Sequence, residues 1–306
     1  MILCVGLSPA WQQTLFFDEF AFGEVNRAKC AVWCASGKVV NTAAALASLD
    51  ASHRMITVAG SDWADRAFQR NLAATGVHVG LIGVQSSIRI CTTLLVNGQP
   101  TTELVEECGP LLDEEVAAFR APVIEEAKSA SAIVISGSTP KGTDVRLWRA
   151  ILEETHIPAV LDIRGLELLE ALAARPLLVK PNRQELAATV GRPLATEQEV
   201  IEAAVELRRR DAQWVLITQG AEPALLAGGE GVFRVRGPAV KAVNPIGCGD
   251  TLAATIAWRA TLGDAIPEAV RWGVAAAAAN AETELPARFS HQRAEQLLPA
   301  VRVESL

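Results

Sequence analysis

The chain has 306 residues, half of them hydrophobic and 21% charged, and its 35 acidic against 28 basic side chains give a formal net charge of −7. This composition excludes disorder, which needs low hydrophobicity with high net charge, and it disfavours a nucleic-acid binder, which presents a basic domain. No run approaches the roughly 18 apolar residues of a membrane helix, and six scattered cysteines are too sparse for a disulfide scaffold. Cys30 and Cys34 lack the neighbouring His or second Cys pair that would complete a zinc site. The opening MILCVGLSPAW has no basic leader and reads as a strand entering a turn, so a reducing, cytoplasmic compartment is expected.

In chain order, Ile2–Leu7 reads as a buried strand and Asn41–Leu49 as an alanine-rich helix. Met55–Ala59 is a strand, followed by a helix from about Asp62 to Ala74 that stops at Gly76. Ala132–Ser136 is a strand closing on Gly137-Ser138-Thr139-Pro140, followed by a helix over Asp144–Glu154 and a strand over Ala159–Asp162. Leu177–Lys180 and Trp214–Thr218 are strands, with helices over Arg183–Val190 and Val200–Arg210 between them. Leu225–Phe233 forms a hairpin around Gly228-Gly229-Glu230-Gly231. Helices follow over Asp250–Leu262, Ile266–Glu282 and His291–Leu298. Such alternation predicts an α/β fold with a mainly parallel sheet covered on both faces. Gln12–Cys34 and Arg89–Val105 break it: both are β-like and read as strands of a small accessory sheet.

Three segments carry chemistry. Asn244-Pro245-Ile246-Gly247-Cys248-Gly249-Asp250-Thr251 lies between a strand and an apolar helix. Its glycines let the backbone turn and present N–H groups, and the helix start adds unpaired N–H groups and a positive dipole end. That combination suits a transferring phosphoryl group, with Asp250 placed to accept a hydroxyl proton. The helix end should also keep Asp250 ionised and weaken it as a base, and the same residues would serve as a plain glycine turn with an Asp cap. Cys248 as a nucleophile would need a base that no neighbouring His supplies. Ser36-Gly37-Lys38-Val39-Val40-Asn41 opens the first long helix, where Lys38 and Asn41 suit phosphate and sugar hydroxyls or a cap with a solvated lysine. Lys180-Pro181-Asn182-Arg183-Gln184-Glu185 follows a strand; Asn182 and Glu185 form either a capping box or a polar pair beside a Mg²⁺–nucleotide site.

Together these segments resemble the ribokinase-like (PfkB) carbohydrate kinases, in particular the 1-phosphofructokinase and tagatose-6-phosphate kinase branch. The resemblance also includes Gly23–Ala28, Arg89-Ile90, Thr102-Glu103-Leu104, Gly137–Pro140 and Thr218-Gln219-Gly220, in family order over some 280 residues. It implies one domain over residues 1–306, a three-layer αβα fold with a small β-sheet lid inserted at about 11–35 and 88–107. It implies ATP-dependent transfer to a hydroxyl of a sugar phosphate such as fructose 1-phosphate or tagatose 6-phosphate. Asp250 then matches the general base, and Gly247, Cys248 and Gly249 the anion hole. Gln12, Arg27, Gly37, Lys38, Asn41, Arg89 and Ser138 match substrate-binding positions, Arg27 and Arg89 being the cations for the existing phosphate. Lys180, Asn182, Glu185, Thr218, Gly220 and Asn280 match nucleotide-side positions, with Glu185 on Mg²⁺ through water and Asn280 near the adenine. A homodimer through the lid sheet is implied as well.

The chain departs from the branch at the sugar floor. Gln12 stands where a carboxylate grips sugar hydroxyls, and Val39 replaces a glycine where backbone approaches the sugar. Pro223 and Pro245 are further departures. The alternatives are a kinase of an unphosphorylated sugar or nucleoside, against which two substrate-facing cations argue, and a catalytically silent sugar-phosphate sensor.

Overall fold

Apolar runs without polar alternation build the centre of the molecule, as strands covered on both faces require. In the computed structural model, which describes Met1–Leu306, four strands are buried along their whole length: β1 (Ile2–Val5), β8 (Ala132–Ser136), β9 (Ala159–Asp162) and β10 (Leu178–Val179). With β4 (His53–Ala59), β5 (Val79–Gly83) and β11 (Trp214–Gln219) they form the parallel order β11-β10-β9-β8-β1-β4-β5. Antiparallel β12 (Glu222–Gly228), β13 (Gly231–Arg236) and β14 (Arg302–Ser305) extend the β11 edge to ten strands.

Successive strand residues face opposite sides of a sheet, and here they feed two separate cores. Ile2 and Cys4 of β1 join a cluster of 42 buried residues, while Leu3 and Val5 join one of 32. The larger core lies under α1 (Lys38–Ser48), α2 (Trp63–Ala73), α8 (Cys248–Thr261), α9 (Ile266–Ala281) and α10 (His291–Leu297). The smaller lies under α3 (Asp113–Ala127), α4 (Leu147–Thr155), α5 (Gly165–Ala171), α6 (Arg183–Val190) and α7 (Glu197–Arg209). Alanines let α8 and α9 pack closely: Gly273 lies where a Cβ would come within 2.6 Å of Leu252.

A second sheet stands apart. It contains β2 (Ala10–Phe17), β3 (Cys30–Ser36), β6 (Arg89–Val96) and β7 (Thr102–Val105), in the order β3-β2-β6-β7. Ala10 pairs with both Ser36 and Arg89, so the end of the sheet near β1 and α1 carries the expected sugar-floor residues. No helix is long and apolar enough to cross a membrane.

The structure departs from the sequence reading in places with physical causes. Helix α3 was not expected, because Pro122 and a run of acids obscure its pattern. Its burial is carried by Phe119, Val123 and Ala127, spaced four apart along one face. Strand β14 pairs only with β13, at the edge, and is largely exposed, so it has no apolar signature. The β-like stretch Gln12–Cys34 is two strands interrupted by an irregular Asp18–Lys29 loop. Phe119 is fully buried and meets Trp148 edge-on, with ring centroids 6.1 Å apart. Phe119→Ala should therefore lower unfolding stability by about 3–5 kcal/mol, measured by urea denaturation, without altering ligand binding at the sheet edge.

Candidate active site

Parallel strands end at one edge of the sheet, and the crevice outside their carboxyl ends is where such folds bind ligands. Five neighbouring strands deliver polar residues there. Ser8 follows β1, Gly137 and Ser138 follow β8, Asp162 ends β9, Lys180 follows β10 and Thr218 lies near the end of β11. Asp162 Oδ1 accepts from Lys38 Nζ at 2.9 Å and lies 3.2 Å from Lys180 Nζ, while its Oδ2 is buried without a partner. Burial alone would raise the Asp162 carboxyl, but Lys180 and Lys38 overcome it and hold the carboxyl below its ordinary value. Burial likewise pulls the Lys38 ammonium down, and Asp162, Glu185 and Asp250 together outweigh it, so the net shift is upward.

Glu185 divides its carboxylate. Oε2 accepts the Asn182 N–H at 2.9 Å while Asn182 Oδ1 accepts the Glu185 N–H, completing a capping box. Oε1 accepts from Lys38 Nζ at 3.1 Å. The two readings of this segment therefore coexist: the cap aims Glu185 at the ammonium.

Across the crevice, Asn41 Nδ2 donates to Asp250 Oδ2 at 2.8 Å, and Ser36 Oγ donates to Asn41 Oδ1 at 3.0 Å. Asp250 is buried, and burial first, then the negative Asp162, push its carboxyl up to about 7 against the pull of Lys38, Asn41 and Lys180. Burial and the like charge of Asp162 thus work against the helix end, whose dipole favours the ionised carboxylate. Gly247 caps α8 at φ +82°, and the amides of Gly247, Gly249 and Asp250 donate to no protein acceptor. The Cys248 amide instead points back to Pro245 O at 3.3 Å. Lys180 Nζ comes within 3.2 Å of where a Cβ on Gly249 would stand, which places a cation beside the free amides. Burial raises the Cys248 thiol to about 11, which removes it as a nucleophile.

The lid contributes from its inner face. Gln12 is buried, and its Nε2 donates to Thr93 Oγ1 at 2.8 Å. Arg89 Nη2 donates to Ser8 O at 3.1 Å, and its Nε is buried and unpartnered. Trp11, adjacent in sequence, faces the other way and stacks on Trp33 with centroids 5.7 Å apart. Val39 does not crowd the crevice: it is 1% exposed and packs against Gly6, where a Cβ would lie 2.9 Å from Val39 Cβ.

Two residues fall elsewhere than the resemblance implied. Arg27 is exposed in the β2–β3 loop, beyond the Phe16–Cys30 pair at the far tip of the lid. Six strand steps of about 3.3 Å separate that pair from Ala10–Ser36, so the pair at the base of the loop lies roughly 20 Å from the crevice end of the sheet. Asn280 is 0% exposed, and both ends of its amide bond to protein atoms rather than lining a nucleotide edge. Thr218 bridges to Asn182 at the edge, and Gly220 turns the β11–β12 connection at φ +66°. Sequence reasoning missed Asp162 as a site residue, although a carboxylate ending an apolar parallel strand is a usable signal.

A buried carboxylate, two lysines and unpaired amides thus meet in one crevice of an αβα sandwich that carries a second, smaller sheet. The chain matches the sequence model described as pfkB family carbohydrate kinase over residues 1–292, and it belongs to that family. It is 31% identical over 278 residues to a 1-phosphofructokinase of Haloferax volcanii, covering 90% of this chain and 88% of that protein. It is 27% identical over 273 residues to a tagatose-6-phosphate kinase of Staphylococcus epidermidis, covering 84% of each. Among solved structures, phosphofructokinase-2 from Escherichia coli in complex with potassium superposes with a TM-score of 0.87 at 26% identity, covering 98% of both chains. The ribokinase-like fold class is thereby established, and ATP is the phosphoryl donor that membership of this kinase family implies.

An acid harder to ionise in the folded chain than in the unfolded one keeps more protons when folded, so it costs stability as pH rises from about 4 to about 7. Asn at position 250 cannot ionise. Asp250→Asn should therefore melt above the parent chain at about pH 8, and calorimetry should show the difference shrinking toward about pH 5.

Proposed function

We propose that this chain transfers the terminal phosphoryl group of ATP to a hydroxyl of a sugar phosphate, a hexose or ketose phosphate of the fructose 1-phosphate or tagatose 6-phosphate type. The observation that carries this reading is the convergence of Asp250, Asn41, Lys38 and the free Gly247 and Gly249 amides at one sheet edge. Asp250 orients the acceptor hydroxyl and takes its proton, and its raised carboxyl brings it near the operating pH of a general base. The amides and Lys180 meet the charge of the moving phosphoryl group. Because a phosphoryl transition state is loose, positioning by Asn41 and Lys38 matters more than base strength.

The substrate's own phosphate would be gripped by Arg89, whose Nε has no protein partner. Gln12, Lys38, Asn41 and Ser138 would bind the sugar, and Thr218, Gly220, Asn182 and Lys180 the nucleotide side. Glu185 and the unpartnered Asp162 Oδ2 are hard oxygen donors of the kind that suits Mg²⁺, which retains several waters. Glu185 would hold the ion through water, and the ion when bound would neutralise phosphate charge. The exposed Trp33, Leu104 and Val105 of the lid support a homodimer through that sheet, acting in the cytoplasm where ATP is supplied.

Purified protein with Mg-ATP should release ADP on phosphorylated ketoses and hexoses in preference to ribose, fructose or adenosine. Thermal stabilisation by sugar phosphates without ADP release would instead mark a silent binder. Asp250→Asn should lose at least ~10²-fold in kcat, the scale of general-base contributions. Arg89→Ala should raise KM for the sugar phosphate far more than KM for ATP. The acid limb of kcat/KM should centre near pH about 7 and move to lower pH in Asp162→Asn, which removes the neighbouring negative charge.

A further inference from the structure

Asn280 lies in the last turn of α9, fully buried. Its Nδ2 donates to Ile246 O at 2.9 Å and to Cys248 Sγ at 3.2 Å, and its Oδ1 accepts the Ala287 N–H at 2.5 Å. Ile246 and Cys248 are the two neighbours of Gly247. The Ala287 nitrogen lies 2.9 Å from where a Cβ on Gly247 would stand. One side-chain amide therefore grips the loop on both sides of Gly247 and also holds the turn that closes over it.

Two further observations fit the same purpose. Asn244 Oδ1 accepts the Ile246 N–H at 3.0 Å, and its Nδ2 donates to Glu284 O at 2.8 Å. Both backbone groups of Ile246 are thus taken by asparagine side chains from opposite directions. Ala287 is a non-glycine residue at φ +56° and is completely buried, a conformation that costs energy unless its surroundings impose it. The bond to Asn280 Oδ1 restrains the nitrogen of that residue, while its carbonyl accepts from Ser48 Oγ at 3.2 Å.

We infer that Asn280 is a positioning residue that fixes the amides of the Gly247–Gly249 loop for the transferring phosphoryl group, and that it does not contact the nucleotide base. This rests on the kinase reading above. The side-chain type is dictated by the partners, since a carbonyl and a backbone N–H must both be met by one group. Aspartate would keep the acceptor for Ala287 but set a carboxylate against Ile246 O. Alanine would leave both buried backbone groups unpaired. Preorganised amides stabilise the transition state only when already aimed at it, so slack in this loop should appear in kcat and not in ground-state binding.

The test measures kcat, both KM values, melting temperature and affinity for ADP–aluminium fluoride with sugar phosphate, in wild type, Asn280→Ala, Asn280→Asp and the milder Asn280→Ser. Expected are a loss of ~10–100-fold in kcat and both KM values within about threefold. Affinity for the transition-state mimic should fall in step with kcat, and Asn280→Ser should show the same pattern if the other two fail to fold. A rise in KM for ATP at retained kcat would overturn the inference in favour of a nucleotide contact. Wild-type kinetics in a folded variant would overturn it outright, as would losses that follow melting temperature alone. A wild-type chain that releases no ADP would instead bring down the kinase reading, and this inference with it.

Discussion

The carboxylate of Asp162 holds the site together. A buried charge is tolerable only when it is paired, and removing one partner of such a pair is strongly destabilising. Asp162 has two ammonium partners that arrive from different parts of the chain: Lys38 from the first residue of α1 and Lys180 from the residue after β10. This one group therefore ties the first helix to the middle of the sheet. Glu185, aimed by its capping box, adds a second carboxylate to Lys38 and brings the start of α6 into the same assembly.

That arrangement has an electrostatic cost across the crevice. Asp162 and Asp250 are both buried and both acidic, and they are driven apart in acidity: Asp162 is held down by its lysines, and Asp250 is raised. Pairs of titratable groups with opposed environments are a common mark of acid–base sites. Here the opposition comes from position, because the lysines lean toward Asp162 and Asp250 keeps only the neutral amide of Asn41 as its direct partner. The proposed function thus rests on an imbalance that folding alone would not favour.

Much of this was legible in the sequence because it is local. Buried strands such as Ala132–Ser136 and Ala159–Asp162 announce themselves by unbroken apolar runs, and the Gly247–Asp250 turn by its glycines before an apolar helix. Other features depend on what lies across the fold. The acidity of Asp250 could not be read from its helix position, because its burial, the larger cause, and the charge of Asp162, 88 residues away in the chain, are both set by the fold. Val39 looked intrusive only because its orientation was unknown; the first turn of α1 aims it at Gly6. Asn280 and Arg27 were placed by analogy with a family pattern, and the surroundings that decide their roles, the Ile246–Ala287 turn and the lid tip, carry no signal at those positions.

The passage from β3 to α1 is a single residue, Gly37. Its φ of +93° and the 2.8 Å approach of Ser8 O to the place of a Cβ leave room for no other side chain. The covering sheet and the helix that carries Lys38 are therefore joined by a pivot rather than a tether. With no slack residue between them, the place of the Lys38 ammonium beside Asp162 is tied directly to where that sheet sits.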